Sequence, residues 1–459
     1  MSDAQITPAD YADIQGVVLN GYGSLKCTRF LFLQIGDAAA ARRWLGELRP
    51  QITTGARRPK DDPKPETALN VAFTHPGLQM LGLPPDALAQ FPREFQEGMA
   101  DGERSRVLGD TGDSAPAHWD LGGPATPVFH VLLMLYGRND DVILARTPAL
   151  EAQFRAAGLT EVFRQDTGRI SNREPFGFAD GISQPFPAGS PGSPIPGEVP
   201  INAGEFLLGY RNGYGTLPPS PMDAQGRDFG RNGTYLIFRK LAQDVSGFWR
   251  FMEQQTRRAD GNPDEARKVR LAAKIVGRWP GGAPLVLAPD ADDPALHTKD
   301  KGNQFSYMPT DPDGLACPIG AHIRRSNPRD SLLPTPARSL VIANRHRLIR
   351  RGRHYEDHRA DAVEGNGVEH GLCFLALNAD IQRQFEFIQQ TWINSPKFRG
   401  LYDNKDALVG DNDGTSHMTI PALPVRQRIN NLPRFVRVRG GGYFFLPGLS
   451  ALRFLSGGA

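Results

Sequence analysis

One local pattern occurs three times along this 459-residue chain. Each copy is an apolar segment of strand length, then an aspartate, then an amphipathic stretch; the copies are 28–35 with Asp37, 233–241 with Asp244, and 371–378 with Asp380. An aspartate in this place accepts the free N–H groups of a helix's first turn, so each copy predicts a strand, a cap and a helix. The copies are too irregularly spaced for a solenoid. We therefore predict an α+β fold of two domains related by duplication, with helices packed on the faces of antiparallel sheets.

A proline-rich segment marks the expected domain boundary. Residues 184–200 contain six prolines, which neither continue a helix nor donate to a sheet ladder. The predicted domains are therefore 1–200 and 201–459, each long enough to bury its own core.

Glycine and proline also predict where the chain runs irregularly. With 50 glycines and 39 prolines, long loops are expected, and 54–66 and 99–126 read as polar surface loops. The alternating segment 433–447 predicts a last strand pair, which its glycine triplet turns or bulges.

Several function classes are disfavoured by composition. No run approaches the ~18 apolar residues of a membrane span, so no membrane association is expected. The N-terminus has neither the basic nor the apolar region of a secretion signal, which predicts a cytoplasmic location. The three cysteines, Cys27, Cys317 and Cys373, form no CxxC pair, which argues against a structural zinc site and for a reducing compartment.

Charge is concentrated in one segment. Between His322 and Arg353 there are nine arginines and one acid, Asp330, although the whole chain carries a net charge of only +3. Such a run is often a solvated face, but these arginines alternate with apolar residues around 340–342 and 348–349 that predict a strand. Guanidinium groups suit fixed recognition of carboxylate or phosphate. A small polyanionic cofactor is favoured over nucleic acid, because the rest of the chain is acidic.

The segment 317–329 contains one histidine, His322, between small residues and the arginine run. It reads either as a structural histidine or as a ligand or catalyst. His354 and His358 stand four residues apart, but their context is polar, and no zinc site is expected there.

The segment 175–185 allows two interpretations. Asp180 followed by Gly181 is a common turn sequence. Asp180 is equally a candidate acid/base group beside an apolar pocket formed by Phe176, Phe178 and Phe186.

Taken together, the motifs resemble those of the dye-decolorising peroxidase family. The similar segments are GxxDG at 177–181 within FGFADGISQP, CPIGAHIRRSNPR at 317–329, RLIRRG at 347–352, and further stretches at 13–23, 378–394 and the closing VRGGGYFFLPGLSAL. The resemblance runs from about residue 13 to about residue 452, and the ordered set of motifs is far more specific than GxxDG alone.

The resemblance implies a haem b peroxidase of two ferredoxin-like domains, with haem held mainly by the C-terminal one. His322 matches the proximal ligand of the haem iron, Asp180 the distal acid/base and Arg350 the distal arginine. Leu372 and Phe374 match residues that line the distal pocket. Gly181 and Ile182 are expected to contact the cofactor.

The remaining expected roles belong to residues around the haem. Arg324, Arg325 and Arg329 are candidate partners of the haem propionates. Asp411 or Asp413 is a candidate hydrogen-bond partner of His322. Gly352 stands where some family members carry an asparagine, so an asparagine-assisted mechanism is not expected.

The leading hypothesis is therefore an enzyme that reduces hydrogen peroxide and oxidises dyes, phenolic and other aromatic compounds through a compound I intermediate, with an acidic optimum. The alternative is a non-enzymatic haem carrier that uses His322 but needs neither Asp180 nor Arg350. A third reading, nucleic-acid binding by the arginine run, predicts salt-dependent DNA binding.

Overall fold

The computed structural model describes residues 5–58, 61–168, 172–223 and 225–457. The strands of its N-terminal half are β1 (Cys27–Ile35), β2 (Thr67–Phe73), β3 (Val131–Gly137) and β4 (Leu159–Thr167). The helices of this half are α1 (Gly16–Leu19), α2 (Ala38–Leu48), α3 (His75–Met80), α4 (Pro85–Leu88), α5 (Arg93–Glu97), α6 (Gly102–Leu108) and α7 (Asp140–Ala156).

The C-terminal half carries the remaining strands and helices. The strands are β5 (Thr234–Gln243), β6 (Ile349–Arg350), β7 (Arg353–His358), β8 (Val368–Asn378), β9 (Ser416–Ile420), β10 (Gln427–Leu432) and β11 (Val436–Leu446). The helices are α8 (Val245–Thr256), α9 (Glu265–Val276), α10 (Lys299–Gly302), α11 (His322–Ser326), α12 (Pro336–Arg345) and α13 (Leu449–Leu455), with π-helical turns at Ile381–Glu386 and Ile388–Ile393. Short 3₁₀ turns occur at Arg49–Gln51, Gly112–Ser114, Pro116–His118, Ala203–Glu205, Pro294–Leu296 and Phe398–Gly400.

The strand order confirms the predicted duplication. In the described part of the chain one antiparallel sheet runs β4-β1-β3-β2-β11-β5-β8-β6, with β7 also paired to β8. The N-terminal half has the order β4-β1-β3-β2, and the C-terminal half has the equivalent order β11-β5-β8-β6. In both halves the fourth strand lies beside the first, followed by the third and the second, which is the ferredoxin-like order. The halves join where Phe445 of β11 pairs with Phe73 of β2. The α+β class with antiparallel strands is confirmed, whereas the division at residue 200 stays a prediction.

The sheet curves around a shared core. Phe30 and Phe32 of β1 meet Phe238 of β5 edge to face, with ring centroids 5.3 and 5.1 Å apart. The outer strands of the two halves also approach one another, since the N–H of Gly168 donates to the carbonyl of His354 at 3.1 Å. Helices cover the outer face and bury a second set of apolar side chains.

All three predicted helix caps are present. The carboxylates of Asp37, Asp244 and Asp380 accept the N–H groups of Ala40, Gly247 and Arg383 at 2.9, 2.8 and 2.8 Å. The third helix departs from the expected α-form, because Ile381–Glu386 and Ile388–Ile393 are π-helical. π-turns are uncommon and occur frequently near functional sites.

Local predictions elsewhere were partly wrong. Residues 433–447 form one strand, β11, with a bulge between Val438 and Gly440, and not a strand pair. Residues 340–342 lie in helix α12 and not in a strand. Thr335 caps this helix and Pro336 is its first residue. Residues 99–126 are not only loop, since they include α6. Of the loop predicted at 54–66, residues 59–60 lie outside the described residues, and the others lie outside helices and strands.

Across the described ranges, no helix is both long and apolar enough to cross a bilayer. The three cysteines are buried, and none of them forms a disulfide bond within the described part of the chain. The cytoplasmic location stays a prediction.

Candidate active site

A cavity of about 360 Å³ is lined mainly by the C-terminal half, with contributions from residues between 108 and 185 of the N-terminal half. It is bounded by one face of strands β5, β8 and β11, by helix α11, by the π-helical turns and by the loop that carries Asp180. Eight of the residues expected to act in catalysis or to contact the cofactor line it: Asp180, Gly181, Ile182, His322, Arg329, Arg350, Leu372 and Phe374. The fold thus brings together residues that are up to 194 positions apart in the chain.

His322 begins helix α11 and has a buried carboxylate partner. Its Nδ1 lies 2.9 Å from Oδ2 of Asp406, whose side chain has no exposed surface. The other oxygen, Oδ1, accepts the N–H groups of Leu408 and Val409 at 2.8 and 3.0 Å. Burial raises the pKa of Asp406, but the charge and hydrogen bond of His322 and the charge of Arg325 outweigh it, and the pKa is lowered overall. With Nδ1 bonded to a carboxylate, Nε2 is the nitrogen that can coordinate a metal.

This pairing corrects the sequence-based assignment of the partner. Asp411 forms an ion pair with Lys405 at 2.8 Å. Asp413 accepts hydrogen bonds from the backbone and hydroxyl of Thr415. The partner of His322 is therefore Asp406, which lies 84 residues further along the chain.

The turn that carries Asp180 is both a turn and part of the cavity wall. Gly177 and Gly181 adopt φ angles of 98° and 72°, a region that favours glycine, which explains their positions in GxxDG. The carboxylate of Glu174 accepts the N–H groups of Phe176 and Phe178 and so fixes the start of the turn. Both phenylalanines line the cavity, as the sequence predicted, but Phe186 does not.

Asp180 is held as a carboxylate. Burial raises its pKa, but the facing imidazole of His354, the charge of Arg350 and the N–H of Gly181 outweigh burial and lower the pKa to about 2. The Gly181 N–H donates to Oδ1 at 2.6 Å. A group with this pKa is ionised throughout the mildly acidic range and is able to accept a proton there.

Arg350 is tied to the same turn. Its Nη2 donates to the carbonyl of Ser183 at 2.6 Å, and its backbone N–H donates to Oε1 of Gln184 at 3.0 Å. These bonds connect strand β6 to the segment that follows Asp180 and keep the guanidinium beside the carboxylate.

Arginines outnumber acids in the lining of the cavity, six to four, and the six are Arg239, Arg278, Arg329, Arg347, Arg350 and Arg434. Burial, with the charges of Arg329 and Arg350, lowers the pKa of Arg278 to about 10 and that of Arg347 to about 9. Arg329 donates to the carbonyls of Asn303 and Phe305 and lies 3.9 Å from the ring centroid of Phe305. Among the described residues no acceptor bonds the guanidinium of Arg347. Such a wall suits an anionic ligand.

Arg324 and Arg325 do not face this cavity, which corrects their predicted role. Arg324 is fully buried, donates to Asp311 at 3.0 Å and lies 4.3 Å from the ring centroid of Tyr307. Arg325 donates to four backbone carbonyls, those of Trp392, Ile393, Ser395 and Asn404. Both guanidinium groups are therefore structural and cannot reach a ligand in the cavity.

The residues present fit a haem. An imidazole with a buried carboxylate partner offers an iron ligand, and the apolar side chains Leu372 and Phe374 offer surface for a flat macrocycle. The unbonded Arg347 and the neighbouring Arg329 offer the charge that two propionates require. Fold and site together define an α+β barrel with a carboxylate-paired histidine and an ionised aspartate in one cavity.

Comparison with known proteins names the class. The model of the DyP dimeric alpha+beta barrel domain matches residues 13–168. A dye-decolorizing peroxidase of Mycena epipterygia is 32% identical over 96% of this chain and 86% of the relative. A solved dye-decolorizing peroxidase complex with 2,6-dimethoxyphenol has a TM-score of 0.80 at 28% identity, covering 97% of this chain and 99% of that one. A fungal DyP-type peroxidase from Auricularia auricula-judae has a TM-score of 0.79 at 28% identity, with the same coverage.

The chain belongs to the dye-decolorising peroxidase family, and it is an enzyme of that class.

The sequence did not reveal three contributors to the site. Asp406 is separated from His322 by 84 residues, and nothing in its local sequence indicates the contact. Arg278 lies outside the arginine run and was not considered. Arg347 lies inside the run, but only the direction of its side chain distinguishes it from Arg324.

Proposed function

We propose that this enzyme is a haem b peroxidase that reduces hydrogen peroxide and oxidises dyes, phenolic and other aromatic compounds. The observation that supports this most strongly is that His322, paired with the buried carboxylate of Asp406, lines the same cavity as Asp180 and Arg350. A haem carrier requires only His322 and Asp406. It has no need of Asp180 or Arg350.

In this proposal His322 Nε2 binds the iron. Leu372, Phe374, Gly181 and Ile182 contact the macrocycle. Arg329 and Arg347 bind the propionates. When bound, the haem supplies the redox chemistry that amino-acid side chains lack.

Side chains of this protein transfer the proton and stabilise the developing charge. The Asp180 carboxylate accepts a proton from peroxide and returns it to the departing oxygen, which leaves as water. The Arg350 guanidinium stabilises the negative charge that develops on that oxygen. Asp406 fixes the orientation and tautomer of His322 and increases its basicity.

The aromatic substrate class is supported by the relatives. One of them was crystallised with 2,6-dimethoxyphenol. The apolar part of the cavity wall, with Leu241, Val436 and Val438, is compatible with such rings.

A pair of variants tests the proposal. Asp180→Asn is expected to retain haem and its Soret band but to lose peroxide reduction by ~100-fold or more, because general acid–base groups contribute about 10²–10⁴-fold. Asp413→Asn serves as a matched control, since this aspartate bonds only to its own turn and does not line the cavity. Unchanged peroxide reduction in Asp180→Asn would favour the haem carrier.

A further inference from the structure

The imidazole of His354 faces the carboxylate of Asp180, the acid/base group of the proposed site. Its Nε2 lies 3.9 Å from Oδ2 of Asp180, with 15% of the imidazole and 45% of the carboxylate exposed. Asp180 lines the cavity and His354 does not. His354 therefore faces the carboxylate without forming part of the cavity wall.

The strand holds the imidazole in this position. His354 pairs with Leu372 across β7 and β8, and its carbonyl accepts the N–H of Gly168 at 3.1 Å. Because both contacts use the backbone, a substitution of the side chain leaves them in place. The 3.9 Å separation is an ion-pair distance and is longer than a hydrogen bond.

The charges around Asp180 come from several elements. Arg350 of β6 and Arg353 of β7 act on it as cations. Glu174, at the start of the turn, is the one acid among these groups; burial and then the charge of Asp180 raise its pKa. His354 adds an imidazole to these groups, and a protonated imidazole pairs electrostatically with a carboxylate.

We propose that His354 is a positioning residue for Asp180: its imidazolium keeps the carboxylate ionised and directed toward the cavity in acid solution. The role rests on the proposed function of Asp180 as proton acceptor. It requires no new ligand and no electron transfer, only the electrostatic pairing of two side chains across β7 and the GxxDG turn.

The ionisation of Asp180 is measured in the haem-free protein by its carboxyl infrared band, with Asp180→Asn as the blank. In His354→Gln we expect the titration midpoint to rise from about 2 toward the ordinary aspartate value of about 3.9. The carboxylate fraction at pH 3 then falls by up to about eightfold. The rate of peroxide reduction should fall at pH 3 by the same factor and stay unchanged at pH 6.

Two further variants make the test decisive. His354→Lys supplies a cation at the same position and should restore the low midpoint. His358→Gln removes an exposed histidine from the same strand and should change neither reading. An unmoved midpoint in His354→Gln, or in His354→Asn if the first variant does not fold, would overturn the role of His354. A wild-type enzyme that does not reduce peroxide would instead contradict the proposed function, and the infrared midpoints would still be readable.

Discussion

The imidazole of His322 and the buried carboxylate of Asp406 form a pair, with 2.9 Å between Nδ1 and Oδ2. The carboxylate is fully enclosed and receives two backbone N–H groups on its other oxygen. It cannot rotate away without losing them. The histidine is therefore held in one orientation before any ligand arrives.

Asp406→Asn should weaken haem binding. The variant loses the negative charge that orients His322 and increases its basicity, and removal of such a partner typically reduces metal affinity by about 10–100-fold. We expect this loss in a haem titration followed at the Soret band, together with a higher reduction potential. Asp413→Asn is the control. Equal haem affinity in Asp406→Asn and wild type would show that the pair does not serve ligation.

Arg324→Met should destabilise the fold and leave the cavity intact. Its guanidinium is fully buried against Asp311, so the variant leaves a buried carboxylate without its cation, which costs about 3–5 kcal/mol. Denaturant unfolding of the haem-free protein measures this loss. Arg338→Met, which removes an exposed arginine from α12, should change the free energy of unfolding by less than about 0.5 kcal/mol. Comparable stability of the two variants would contradict a structural role for Arg324.

Arg347→Met should weaken haem binding and leave the stability of the haem-free protein undiminished. The charges of Arg329 and Arg350 repel this guanidinium, and burial adds to the cost, so its removal should not destabilise the haem-free protein. Haem affinity should fall about 10–150-fold, because a charge-assisted hydrogen bond contributes about 1.5–3 kcal/mol. A haem titration beside a thermal melt separates the two effects. Loss of stability with unchanged haem affinity would assign Arg347 to the fold instead.

Acid should destabilise the protein mainly between pH 4 and pH 2. The pKa of Asp180 is about 2, and side-chain hydrogen bonding to Arg359 and the charges of Arg359 and Arg439 lower that of Asp361 to about 2 despite burial. The unfolded value is about 3.9. Carboxylates with lowered pKa stabilise the fold above the unfolded value, and this contribution is lost as pH falls through the folded value. Thermal unfolding at successive pH values measures it, and a melting temperature that rises on acidification would contradict these assignments.

The pH dependence of turnover should follow the ionisation of Asp180. Because Asp180 stays ionised down to about pH 2, activity with a phenolic reductant should persist in acid and not require neutral pH. Steady-state rates over a pH series measure this. Turnover that rises steadily to neutral pH would contradict Asp180 as the base.

The local pattern of the sequence predicted much of the fold. Asp37, Asp244 and Asp380 cap helices as expected, because capping depends on residues within one turn. The helix at 340–342 was mistaken for a strand, since a short apolar run fits either form. Thr335 and Pro336 before it were the available signal, as a cap followed by proline starts a helix.

The site was predicted less completely, for geometric reasons. His322, Asp180 and Arg350 followed from the motifs that resemble the family. Arg324 and Arg325 were misassigned because α11 turns by about 100° per residue, so they leave the face that His322 shares with Ser326. The contact to Asp406 joins distant parts of the chain, and its physical cause lies in the packing of the whole C-terminal half.

Absorption spectroscopy of the haem-reconstituted protein, with and without hydrogen peroxide, tests the central claim most directly. Wild type should bind haem with a Soret band, change its spectrum rapidly on addition of peroxide and return to the starting spectrum when 2,6-dimethoxyphenol is added. Asp180→Asn should bind haem equally and change only slowly with peroxide. A wild-type spectrum that peroxide does not alter, or a rapid response in Asp180→Asn, would contradict the account.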